Sequence, residues 1–217
     1  MKELAAEMDA ETEFRRRLEC VPVPDEMRDL PRDRRGYPIP AIVFRDAGGT
    51  PHFTINDAGM SLRALEEDRC PICWGRLTRG RWFVGGPLSA LHERGAFGDP
   101  PGHRACIGYA LRVCPYLAAP SYAKRIDDRG LMKRAGLALA MDPTVVPERP
   151  ALFVAVMAVG QSVRKGATIS IRPKKSYRAI EYWRQGRRLS DDEGAAIAAA
   201  VLGEPLPRPK APRILRP

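Results

Sequence analysis

The sequence is poor in histidine and in aromatic side chains: it has three histidines among 217 residues, and 7% of the chain is aromatic. It also lacks any run near the roughly 18 consecutive apolar residues that a membrane-spanning helix needs. Its acidic start has no apolar segment of the kind found in secretion signals. We therefore expect a cytoplasmic protein that makes no membrane contact.

The motifs of several common enzyme classes are missing as well. The chain contains no Gly-rich phosphate loop, no nucleophile elbow and no metalloprotease helix motif. This pattern favours a non-enzymatic binding protein over a catalyst.

The cysteines point to a metal site. There are five, an odd number, and two of them form a Cys-x-x-Cys sequence in a chain without a secretion signal, which favours metal ligation over disulfides. Cys70 and Cys73 are followed by a tryptophan and by Gly75, as in a zinc knuckle. We expect Gly75 to allow the backbone to fold back after the second thiolate.

A second ligand pair is predicted about 30 residues downstream. Asp99 is an N-cap candidate ahead of prolines suited to a first turn, so a helix should begin near residue 100 and end before Pro115. His103 and Cys106 would then share one face of that turn and complete a tetrahedral, structural zinc site. Cys114 would lie about 12 Å further along the helix, too far for a zinc–sulfur bond of about 2.3 Å, so we interpret it as a small buried residue.

The hydrophobic pattern predicts an α+β fold, in which a zinc module is joined to a small ββα-type unit of sheet and helix, with extended termini. We divide the chain into a helix and Pro-rich arm at 1–40, a zinc-binding module at 41–145, a basic strand and helix unit at 146–203, and a Pro/Arg-rich tail at 204–217.

Several elements are predicted within these segments. The zinc module should begin with a hairpin of residues 41–45 and 52–55 and a helix capped by Asn56 or Asp57, whose Met60, Leu62 and Leu65 face the core. The C-terminal unit should contain a buried strand at 151–159, two further strands at 167–172 and 178–184 joined by a turn at Pro173, and a helix capped by Ser190 and Glu193 that Gly203 ends.

Positive charge is concentrated near the C-terminus. The net charge is +10, whereas residues 161–189 hold nine lysines and arginines against the single acid Glu181. Such a field favours nucleic acid, although these side chains can also simply solvate the surface. Tyr177, Tyr182 and Trp183 can stack on bases or pack within a sheet. The predicted nucleic-acid contacts are Arg172, Lys174, Lys175, Arg178, Arg184, Arg187 and Arg188.

Two resemblances follow from these segments. A knuckle, a hairpin around residues 81–84 and a helix that completes the site resemble a treble-clef zinc finger. Residues 83–92, 99–101 and 109–120 resemble a family of uncharacterised phage and prophage proteins of high-GC bacteria, over about residues 37–190. The second resemblance implies a mobile-element origin and the cytoplasm of a bacterial host cell, and it implies no activity.

Two alternatives to nucleic-acid binding stay open. The chain can be a module for a protein partner, in host interaction or in anti-defence. It can also be a nuclease of the His-metal type, because those enzymes use a treble clef to hold a catalytic metal. With His103 bound to zinc, however, only His92 and His52 are left, and such a site needs a general base and further metal ligands. A catalytic zinc would require an open coordination position, which four protein ligands do not leave.

Overall fold

A computed structural model describes residues 12, 14, 16, 19–119, 144–145, 149–165 and 169–203. In these ranges the chain combines short helices with small antiparallel sheets, which confirms the α+β class. The helices are Ala58–Glu66 (α1), Pro87–Leu91 (α2), Arg104–Val113 (α3), Pro115–Ala118 (α4) and Asp191–Leu202 (α5). The strands are Val43–Arg45 (β1), Pro51–Asn56 (β2), Gly80–Gly85 (β3), Phe153–Val159 (β4), Gln161–Lys165 (β5), Ile169–Pro173 (β6), Ala179–Arg184 (β7) and Arg187–Arg188 (β8).

The N-terminal prediction is only partly within the described ranges. Residues 12, 14, 16, 19 and 20 are helical, and the rest of 1–19 and the tail at 204–217 lie outside the described residues. The Pro-rich arm contains one 3-10 turn at Asp25–Met27, and Met27 is buried against the core. None of the helices in the described part of the chain has the length and apolar character to cross a membrane.

The predicted first hairpin and helix are present. β1 and β2 pair antiparallel, and the Asp57 carboxylate caps α1 by accepting a hydrogen bond from the Met60 amide at 2.8 Å. The predicted core face of α1 is only partly confirmed. Leu65 packs against the core cluster that contains Phe83, whereas the fully buried residues of the helix are Ser61 and Ala64, and Met60 and Leu62 are half-buried.

The main sheet has the strand order β3-β4-β7-β8, and every neighbouring pair is antiparallel. β4 is a central strand with an almost continuous apolar sequence, as expected for a strand covered on both faces. β3 does not form the predicted local hairpin. It pairs with β4 from Gly80 opposite Val159 to Gly85 opposite Val154, so segments 41–145 and 146–203 contribute strands to the same sheet.

The pairing predicted for the C-terminal strands is also wrong. β6 pairs with β5, a strand with a single apolar residue, Val163, that the hydrophobic pattern does not reveal. β7 pairs with β4 instead, and a two-residue turn then leads to β8. Both turn residues, Gln185 and Gly186, have positive φ angles of 49° and 74°, as the tight turns of twisted hairpins require.

The two faces of the sheet are covered by different elements. On one face, Phe153, Ala155 and Trp183 pack in a cluster with α3, the Pro-rich arm and the cysteines Cys70 and Cys106. On the other face, a second cluster joins the sheet to α5, α2 and β6. The predicted metal ligands and the C-terminal helix therefore lie on opposite sides of one sheet.

The C-terminal helix α5 begins and ends as predicted. The Ser190 hydroxyl accepts a hydrogen bond from the Glu193 amide at 3.3 Å, and Gly203 ends the helix in the left-handed conformation with φ of 72°. Its buried Gly194 lies directly against Tyr182 of β7.

Candidate metal centre

The structure brings Cys70, Cys73, His103 and Cys106 into one group. Their ligand atoms all lie within 4.8 Å of one another. Tetrahedral zinc with sulfur ligands at about 2.3 Å places those sulfurs about 3.8 Å apart, so a group of this size is compatible with one zinc ion. Cys70 and Cys106 are 0% exposed, and the other two residues are half-buried. This donor set, rich in buried thiols, can hold a metal ion.

The first two ligands sit on a tight loop. Arg69 and Arg76 form an antiparallel bridge, and the Cys70 amide donates to the Gly75 carbonyl at 2.8 Å. The residue that turns the backbone is Trp74, with a positive φ of 63°, and not Gly75 as predicted. Gly75 is needed because a side chain at this position would crowd His103 and Cys73.

A Cβ atom added at Gly75 would lie 3.1 Å from His103 Cε1 and 3.3 Å from Cys73 Sγ. The missing side chain therefore lets the imidazole approach the knuckle, and the Gly75 amide lies 3.4 Å from the Cys73 sulfur as a hydrogen-bond donor.

The second ligand pair is held differently from the prediction. α3 begins at Arg104, and His103 is its extended N-cap residue, so the predicted start near residue 100 is wrong. The segment before it is extended because Gly102 exchanges two backbone hydrogen bonds with Trp82 of β3, at 3.1 and 2.9 Å. Asp99 is not the cap; its carboxylate accepts a hydrogen bond from the Asn56 side chain at 2.7 Å.

The imidazole of His103 is oriented for ligation through Nδ1. Nε2 lies 2.8 Å from the carbonyl oxygen of Arg76, so Nε2 carries the proton and donates it to that carbonyl. Nδ1 lies 3.2 Å from Cys73 Sγ, inside the group. A backbone acceptor on the far nitrogen is the usual way in which proteins fix a ligating histidine.

The close packing of the thiols changes their acidity. Contact with Cys106, and next with Cys73, lowers the pKa of Cys70 well below its usual range. The same contact with Cys70 raises the pKa of Cys106. Ionisation of Cys70 thus makes ionisation of the neighbouring Cys106 less favourable. A divalent cation at the centre of the group would favour ionisation of all three thiols.

Cys114 is separate from this group. It is the C-cap residue of α3, where its amide donates to the Ala110 carbonyl at 2.9 Å, and burial raises the pKa of its thiol. Among the described residues, the Cys3His group is the one place where three or more side chains that can ligate a metal lie together. His52 pairs with Asp46, and His92 accepts a hydrogen bond from the Arg94 amide, so neither joins it.

A buried carboxylate links α3 to the main sheet. Glu181, on β7, is 5% exposed and binds Arg104, the first residue of α3, at 2.7 Å. Its other oxygen accepts a hydrogen bond from Trp183 Nε1 at 3.1 Å, and the Arg104 guanidinium also lies over the Trp82 ring. The sequence signal for this contact is the single acid among nine basic residues in 161–189, and it does not indicate which base the acid binds.

The predicted nucleic-acid contacts form two groups at opposite ends of β7, about 20 Å apart along the strand. At its start, Lys175 donates to the Ala90 carbonyl and Arg172 to the Arg94 carbonyl, at 3.2 and 3.3 Å. Desolvation, followed by the charge of Arg172, lowers the pKa of Lys175 to about 8. The exposed residues of this first group are Lys174, Lys175 and Arg178.

The second group, at the end of β7, consists of Arg184, Arg187 and Arg188, all exposed on the β7–β8 hairpin. Arg188 also approaches Glu181, at 3.5 Å. We call these three residues the arginine hairpin.

Two of the three aromatic side chains between the basic residues, Tyr182 and Trp183, are not available for stacking. Tyr182 is 3% exposed and Trp183 is 2% exposed, in the clusters on the two faces of the sheet. The Tyr177 hydroxyl donates to the Ala90 carbonyl at 2.8 Å. The interpretation of these residues as sheet packing is therefore the correct one for Tyr182 and Trp183.

Comparison of the chain with protein-family models, with curated proteins and with solved structures finds no match.

Proposed function

We propose that this protein is a non-enzymatic module, stabilised by a structural zinc ion, that binds nucleic acid through its basic C-terminal surface. The observation that carries the zinc assignment is the convergence of three thiols and one imidazole from two separate segments. Soft thiolates with imidazole in a compact group favour zinc, and four protein ligands leave no position for a catalytic water. The ion is structural.

The knuckle, the strand β3 and the start of α3 support a treble-clef-like description of the site, although β3 takes its partner from a distant part of the chain. A mobile-element origin is a further part of the proposal, and its support is the resemblance of residues 37–190 to phage and prophage proteins.

The nucleic-acid proposal rests on the arginine hairpin. Its three guanidinium groups are exposed, whereas the neighbouring Tyr182 and Trp183 are buried. Contact through arginines without stacking aromatics favours phosphate recognition, which is independent of sequence and weakens strongly as salt is raised.

The metal is tested by elemental analysis of freshly purified protein. One zinc per chain supports the proposal. Another metal, or none, contradicts it.

Nucleic-acid binding is tested by fluorescence anisotropy with a labelled single-stranded oligonucleotide at several salt concentrations. The variant R184A/R187A/R188A should bind more weakly, and its affinity should depend less on salt because fewer counterions are released. The matched control is R34A/R45A/R79A, which removes three exposed arginines from the first half of the chain. Equal losses in the two triple variants, or no binding by the wild type at low salt, would favour a protein partner.

A further inference from the structure

A cavity of about 220 Å³ opens beside the arginine hairpin, where β4 begins and β7 ends. It is far along the chain from the metal ligands, and none of them lines it. Its lining residues are Arg149, Pro150, Ala151, Phe153, Arg184 and Gln185.

Arg149 is a fixed cation in this cavity. Its Nη2 donates to the carbonyl oxygens of Ala119 and Leu117, at 2.7 and 3.4 Å, which holds the guanidinium in place. Its Nε is buried and has no hydrogen-bond partner among the described residues. Carbonyl acceptors do not neutralise a positive charge, and desolvation accordingly lowers the pKa of Arg149.

Arg184 brings a second positive charge to the same cavity. Within the described ranges, neither Arg149 nor Arg184 forms an ion pair with a carboxylate. Both arginines line this cavity, together with the apolar walls of Pro150 and Phe153. An anion seated in it would be attracted by both positive charges.

The geometry points to a binding site for a phosphate group, held between Arg149 and Arg184 with the Gln185 amide as a further donor. The exposed Arg184 guanidinium can bind two phosphate oxygens at once through parallel N–H donors. Arg149 would contact phosphate through Nη1, because its Nη2 is held by two carbonyls and its Nε is buried. Gln185 lies in the left-handed turn at the end of β7 and is one of the residues that line the cavity. The source of the phosphate rests on the proposed function: a backbone phosphate of nucleic acid lying across the arginine hairpin.

The site is tested first without nucleic acid. Inorganic phosphate is titrated into the full chain by isothermal calorimetry, with chloride at equal ionic strength as the reference. Arg184→Gln should weaken phosphate binding by at least about tenfold, because one of two charge-assisted contacts is lost. Arg184 is exposed, so this change leaves the core intact.

The control variant is Arg79→Gln, which removes an exposed arginine that does not line the cavity and should bind phosphate as the wild type does. If the wild type binds no phosphate beyond chloride, or if the two variants lose affinity equally, the site is refuted.

A second experiment identifies the source of the phosphate and separates the two proposals. Inorganic phosphate should compete with an oligonucleotide for the wild type, and a 5′-phosphate on the oligonucleotide should not raise its affinity, as expected for a backbone phosphate. A gain from the 5′-phosphate that Arg184→Gln abolishes would refute the backbone assignment and indicate a terminal phosphate. Phosphate binding without oligonucleotide binding would overturn the proposed function and leave the site standing, whereas the reverse would overturn the site alone.

Discussion

At the scale of single residues, the cysteines have different roles that single substitutions can separate. Cys106 is fully buried in the Cys3His group, whereas Cys114 lies at the other end of α3. We expect Cys106→Ser and Cys73→Ser to lose zinc, because a hydroxyl does not replace a thiolate ligand. Cys114→Ser should keep it. The zinc-to-protein ratio after dialysis measures this, and loss of zinc in Cys114→Ser with retention in His103→Ala would mean that the ligands are wrongly assigned.

The second prediction at this scale concerns Glu181. Replacing it by Gln removes the charge that faces Arg104 at 2.7 Å and Arg188 at 3.5 Å, but keeps the shape of the side chain. We expect the free energy of unfolding to fall by about 2 kcal/mol, less than for a fully buried pair because Arg104 is partly exposed. The control is Glu93→Gln, since the Glu93–Arg94 pair is exposed and worth well under about 1 kcal/mol.

Urea unfolding of the Glu181 and Glu93 variants with zinc present gives the comparison. Similar stabilities of the two variants would show that the Arg104 contact contributes little.

At the scale of elements, the contact of α5 with the sheet depends on the absence of one side chain. A Cβ atom at Gly194 would lie 2.1 Å from Cγ of Tyr182, so Gly194→Ala must push the helix away from β7. We expect a loss of about 2 kcal/mol, because such overpacking outweighs the gain of about 1 kcal/mol that alanine normally brings to a helix.

The control for Gly194→Ala is the reverse change at an exposed position of the same helix. Ala196→Gly should cost about 1 kcal/mol from helix propensity alone. Thermal unfolding of both variants measures the difference, and a stabilised Gly194→Ala protein would contradict the close packing described for this helix.

At the scale of the whole molecule, removal of zinc should loosen one face of the sheet more than the other. Cys70 and Cys106 belong to the cluster that includes Phe153, whereas the opposite cluster around α5 contains no metal ligand. After chelation, we expect amide hydrogen exchange to rise in residues 70–77 and 103–113 and to change least in α5. Acidification should release the metal in the same way, because protons compete for the thiolates. A uniform rise in exchange would mean that the metal holds the entire fold.

The sequence predicts what depends on near neighbours along the chain. The ligand pairs have short spacings, and the caps of α1 and α5 require only a few adjacent residues, so these features could be inferred. The start of α3 could not, because Gly102 is held extended by β3, about 20 residues earlier in the chain. The partners of β3 and β6 and the separation of the basic residues into two groups likewise depend on how distant segments pair, which hydrophobic patterns do not encode.

The shared sheet also decides how far this metal site is modular. Many zinc fingers are domains that fold independently and can be moved into other proteins. Here β3 forms its backbone hydrogen bonds with residues 154–159 of β4, and Arg104, next to His103, forms an ion pair with Glu181 of β7. Excised alone, residues 41–145 would expose an unpaired strand edge and one apolar flank, a combination that invites aggregation. The Cys3His group could therefore be moved into another protein only together with the strands that complete its sheet.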